Sequence, residues 1–122
     1  MSVETEILEA LANDATVMDL LGSGDRIMSG NPEKRLPLPP PLLLVEALQG
    51  EPKIVGEEGI IVDRWICTIW ILVEGSASGL EAAVEMVLGG LRFTRTATKP
   101  VVVGKPEMNC RAMSFAGSRM RG

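Results

Sequence analysis

The spacing of apolar positions starts the chain with a helix. Val3, Ile7, Leu8 and Leu11 fall on one stripe behind Ser2, whose hydroxyl is suited to cap the first free amides. Asn13 and Asp14 interrupt the stripe, and a short second turn runs to Leu20 and Leu21 and stops at Gly22. Residues 22–41 then read as an exposed Gly/Pro-rich connection, held extended by Pro37, Pro39, Pro40 and Pro41. Such a proline run suits either an SH3-type ligand or a stiff lead-in to a strand. Because it runs straight into LLLV, the lead-in is the preferred reading.

Residues 42–48 are apolar on both faces over their first half and predict a well-covered strand. A polar connection over 49–59 joins it to a second arm, 60–73, so the two form a hairpin. One face of that arm shows Ile60, Val62, Arg64, Ile66, Thr68, Trp70 and Leu72. The other shows Ile61, Asp63, Trp65, Cys67, Ile69, Ile71 and Val73. Both faces are apolar from Trp65 onward. Helices cover only one face of so small a sheet, which predicts a second copy of the protein over the other. At about 3.3 Å per residue the arm spans roughly 46 Å, so a bulge near Asp63 and Arg64, or an arm projecting past the sheet, is expected.

Ser78, Gly79, Leu80 and Glu81 match a capping box and predict a helix start. Leu80, Ala83, Val84, Val87, Leu88 and Leu91 continue as one stripe, with Gly89 and Gly90 as its left-handed stop. A basic loop over 92–100, a short strand over 101–103 and a last strand over 107–116 follow. The fold expected is α+β: a small, mostly antiparallel sheet of about four strands with helices packed on one face, in one domain over 1–122.

Composition narrows the chemistry. There is no His among the 122 residues, which removes the commonest general base, the Ser-His and Cys-His pairs and the most frequent zinc ligand. With two Trp, two Phe and no Tyr, the core must be largely aliphatic and Met. Cys67 and Cys110 lie in apolar runs without metal spacing and read as buried free thiols. LLGSGDR is not a phosphate loop, and Pro106 removes an amide that a phosphate at Gly104 and Lys105 would need. Glu57 and Glu58 read as solvated loop charge. The acidic N-terminus is no signal peptide and the longest apolar stretch is half a membrane span, so a soluble protein without cofactor or metal is expected.

The net charge of −4 is unevenly placed. Residues 1–61 carry eleven acids and four bases; residues 62–122 carry five and eight. Such a split suits head-to-tail contact between copies better than a duplex nucleic acid, although surface charge also drifts along ordinary chains. Arg92, Arg95, Lys99, Arg111, Arg119 and Arg121 could meet an acidic neighbour or serve solubility alone. With only Phe93 and Phe115 near them, specific nucleic-acid binding is unsupported. Trp65 and Trp70 point to opposite faces of a regular strand, one a core residue and the other an interface anchor.

The order of these pieces, with GDRI (Asp25, Arg26 and Ile27), the proline-led LPLPPPLLLVEAL, the long strand ending DRWICTIWILVEG and the helix SGLEAAVEMVLGGL, resembles the tail completion proteins of long-tailed bacteriophages, also called tail terminator or tail-to-head joining proteins. The resemblance covers essentially the whole chain and rests on pattern and order. It implies a structural protein without catalytic residues. Copies would form a ring, a hexamer, that caps the tail tube and joins it to the head connector or neck protein. It would reside in the host bacterial cytoplasm during assembly and then in the virion tail, with no membrane partner. Asp25, Arg26, Trp65, Trp70, Arg92, Arg95 and Arg111 are the candidate subunit-interface residues. The family pattern would close on a more hydrophobic strand than SFAGSRMRG. Three alternatives stand beside it: a small cytosolic dimeric ligand-binding module, a neighbouring neck or stopper protein, and an enzyme with His-free chemistry.

Overall fold

The computed structural model describes residues 2–32, 39–102 and 109–120. In chain order these form α1 (Val3–Ala12), α2 (Ala15–Leu21), a 3-10 turn (Gly24–Arg26), β1 (Ile27–Ser29), β2 (Leu42–Gln49), β3 (Lys53–Val55), β4 (Ile60–Val73), α3 (Ser78–Gly90), β5 (Thr94–Val101) and β6 (Asn109–Met120). Three helices thus pack on a six-stranded mixed sheet of order β1-β2-β4-β6-β5, with β3 also paired to β4. Only β1 and β2 run parallel.

The sheet therefore has six strands rather than about four. Ile27–Ser29 lies inside the segment expected to be an exposed connection, half-buried beside β2. The stretch expected to be a basic loop is β5, where Thr94, Thr96 and Thr98 supply β-branched residues among Arg95, Lys99 and Pro100, and a register shift between Arg95 and Ala97 breaks the alternation. The last strand runs on through Gly117 to Met120. Pro37, residue 103 of the expected short strand, residues 107 and 108 of the expected last strand, Gly104, Lys105 and Pro106 between them, and Arg121 lie outside the described residues.

The long arm is present, and β4 keeps unbroken register with β6 from Val62 to Val73. Its irregularity falls in the partner strand. Gln49 faces Trp65 and Lys53 faces Val62, so one extra residue is accommodated over 50–52, opposite Asp63 and Arg64. The Gly50 amide still donates to the Arg64 carbonyl at 2.7 Å.

Helix starts follow from single side chains. Ser2 Oγ accepts the Thr5 amide at 3.1 Å, and Asp14, which interrupts the first stripe, caps α2 by accepting the Val17 amide at 3.0 Å. The capping box at the start of α3 does not form. Ala77 is the N-cap, and Ser78 is already helical, its amide donating to Ser76 Oγ at 3.3 Å, while Glu81 turns to Arg111. The helix also runs through both glycines. The left-handed residue is Arg92, at φ 66°. Its amide donates to the Gly89 carbonyl at 3.0 Å and the Phe93 amide to Leu88 at 2.9 Å, a Schellman pair with arginine where glycine is usual. Replacing Arg92 by Gly relieves the left-handed cost of about 1–2 kcal/mol and adds roughly 0.5–1 kcal/mol of unfolded-chain entropy. A net gain of about 0.5–1 kcal/mol in denaturant unfolding is the expected result.

The helices bury Ile7, Leu11, Val17, Val84 and Leu88 against Leu43, Ile69, Ile71, Met113 and Phe115 on one face of the sheet. The opposite face is divided. Leu42, Leu44, Leu72 and Cys110 are buried there, with Trp70 packed against them. Further along the same face Leu48, Ile66 and Met120 are exposed. A second copy is thus not needed over the whole of this face, because half of it is already closed within the chain.

Candidate assembly surface

The two tryptophans lie on opposite faces of β4, as their positions predict: Trp65 is half-buried against the helix-side core and Trp70 against the smaller cluster. Asp25 is exposed in the 3-10 turn. Its neighbour Arg26 donates through Nη1 to the Pro39 carbonyl at 3.1 Å, tying that turn to the lead-in of β2. Arg95 pairs with Glu85 and Arg111 with Glu81, each at 3.3 Å, so both are engaged within the chain. Arg92 is exposed at the C-terminus of α3. The seven candidates do not converge on one spot; they are spread over both faces and one end of the sheet.

One arginine outside that set is the best connected. Arg119 Nη2 donates to Glu6 Oε1 at 3.1 Å and to the Leu91 carbonyl at 2.8 Å, and its guanidinium lies 4.7 Å from the centroid of the Phe93 ring. It joins α1, the end of α3 and β6. The ring under it needs Gly117, where a Cβ would come within 2.6 Å of Phe93 Cδ1. In sequence only Gly117, two residues before Arg119, hints at this, since Phe93 lies far along the chain and Glu6 is 113 residues away.

Charge divides by layer more cleanly than by sequence half. Among the described residues the helices contain Glu4, Glu6, Glu9, Asp19, Glu81 and Glu85 and no Lys or Arg. The strands carry six bases, Lys53, Arg64, Arg95, Lys99, Arg111 and Arg119, against two acids, Glu46 and Asp63. Three ion pairs cross between the layers. Glu4 is held inside, accepting hydrogen bonds from Ser29 Oγ and from the Ala47 amide at 3.4 Å. Arg64 on the sheet and Asp19 on the helices have no ion pair among the described residues.

Both cysteines are free and buried. Burial, with the Glu4 carboxylate adding to it, pushes the Cys67 thiol from 9.0 up to about 12; burial alone pushes Cys110 to about 11. The native fold keeps both thiols neutral and unreactive. Their contribution to stability is full below pH 9, where the unfolded thiols are also neutral, and is lost as pH rises from there toward 11 and 12. A disulfide-exchange reagent at pH 8 is expected to titrate neither thiol in the native protein and both after unfolding in denaturant.

Among the described residues no group of three or more Cys, Asp or Glu side chains is placed to hold a metal ion. No helix there is long and apolar enough to cross a membrane. Two open grooves meet at Ser118, one on the sheet face by Gly50, Arg64, Ile66 and Ala116, the other by Leu91, Arg92, Arg119 and Met120. These features define an α+β chain, helices on one face of a mixed sheet, whose notable surface is apolar and charged rather than a cleft of titratable groups. No family model and no curated protein matches the chain. Among solved structures it is similar to a chain in the virion of a native gene transfer agent (GTA) particle, with a TM-score of 0.64 at 15% identity, over 98% of this chain and 96% of that one. At that identity the likeness is one of fold.

Proposed function

We propose that this protein is a structural subunit of a phage-like particle, and within it a tail completion or tail terminator protein. Copies form a ring, a hexamer, that caps the tail tube and joins it to the head connector, without enzymatic activity. The observation that carries this reading is the end-to-end likeness of fold to a virion chain, over 98% of this chain and 96% of that one. The order of elements that resembles the tail completion family, and a surface divided into an acidic helical layer and a basic sheet, support it further. A ring requires two different patches on each copy, which such a division supplies. On this reading the protein is made in the bacterial cytoplasm and ends in the particle.

Negative-stain electron microscopy of the purified protein, alone and added to polymerising tail tube protein, tests the reading. Rings are expected alone, and tubes of arrested length bearing an end cap are expected in the mixture. A strict monomer at every concentration and salt level, with no effect on tube length, would falsify it.

A further inference from the structure

We infer that, in the ring, the open half of the sheet face of one copy docks on the helical layer of the next. This rests on the ring reading and names its interface. On the sheet side Leu48 is 61%, Ile66 54% and Met120 72% exposed. Leu48 and Ile66 are direct cross-strand partners, and Met120 stands opposite Val62 on the same face, with Arg64 between. On the helical side Met86 is 79% and Leu20 46% exposed. Leu20 lies against Gly79, within 3.6 Å of where a Cβ would be, and Met86 follows Gly79 by two turns of α3 on the same side. Each apolar patch has charge at its margin, of opposite sign. Arg64, without an ion pair among the described residues, stands beside Ile66, and the acid on the same face, Glu46, accepts from Asn31 Nδ2 at 3.3 Å toward the covered half; on the helices Asp19 adjoins Leu20, and Glu85, paired with Arg95, adjoins Met86.

A second copy is the occupant that this charge pattern fits. Sheet against sheet would bring Arg64 near its own counterpart, and helix against helix would bring acid to acid; only sheet against helices pairs unlike charge over both apolar patches. The patches lie on opposite faces of one protomer, so the contact is heterologous and repeats from copy to copy until it closes.

Two exposed substitutions test it, Ile66→Asp on the sheet and Met86→Arg on α3, with circular dichroism to confirm folding and mass photometry to read assembly. Each variant alone is expected to be monomeric where the wild type forms rings, the contact weakened about 30-fold or more, as for a central anchor at an interface. Mixed one to one, they are expected to assemble again, to heterodimers at least. The intact helical layer of the Ile66→Asp copy meets the intact sheet face of the Met86→Arg copy, and the two altered faces set Asp against Arg. Either variant forming rings like the wild type, or a mixture that stays monomeric, overturns this interface while the wild-type ring still stands. Rings that persist in Ile66→Asp while tail tube binding is lost assign the sheet face to the tube protein instead, and also overturn it. A wild type that never forms rings removes the ring reading itself.

Discussion

Replacing Phe93 by Ala is expected to cost about 3–5 kcal/mol of stability, measured by denaturant unfolding. The ring is buried, it packs on Gly117, and Arg119 lies over it at 4.7 Å while also holding Glu6 and the Leu91 carbonyl. Its amide closes the end of α3. Truncation therefore leaves a cavity and removes the surface against which the guanidinium is placed. Gly117→Ala alone is expected to cost about 1–3 kcal/mol, because the new methyl must displace the ring from a 2.6 Å contact. Together the two changes should cost less than their sum, since the methyl enters space that the ring has vacated. Additive costs would show that Phe93 and Gly117 do not share that space.

The second large effect contrasts two residues on one face of one strand. Leu72→Ala is expected to cost about 2–5 kcal/mol, whereas Ile66→Ala should stay within about 0.5–1 kcal/mol in the isolated protein. Leu72 is fully buried between Leu42 and Cys110, while Ile66, six positions earlier, faces Leu48 and Ala116 with more than half its surface open. Equal costs would mean that the open half of the face is covered in solution. Where assembled and dilute protein can be compared, the Ile66 substitution should matter only in the assembled form.

Period-two alternation was enough to sort β4 into two faces and to put Trp65 and Trp70 on opposite sides, because a strand's side chains alternate whatever covers them. It could not tell Leu72 from Ile66. Both are apolar on an apolar strand, and which end is covered is decided by parts of the chain distant in sequence. β1 was illegible for a similar reason: three residues in a Gly-rich stretch become a strand only by pairing in parallel with β2. β5 was hidden by the basic residues and proline that an outer strand tolerates. At α3 the stripe located the helix correctly, but the local cap motifs at both ends lost to tertiary partners. Glu81 is drawn to Arg111, and Phe93 sets the turn that puts Arg92 at positive φ. Among the candidate interface residues, Arg95 and Arg111 proved to be engaged with α3, and the exposed apolar trio on the sheet was not singled out.

The outermost strands carry one further consequence. β5 is interrupted by a register shift between Arg95 and Ala97 and carries Lys99 and Pro100 just before its last residue; β1 is three residues long, and beyond it Glu4 occupies the Ala47 amide on the exposed side of β2. Neither margin offers a continuous row of free backbone groups to a neighbouring strand. Copies of this chain can therefore meet through their faces without the risk of zipping edge to edge into a fibre, so high local concentration during assembly favours finite objects over open-ended ones.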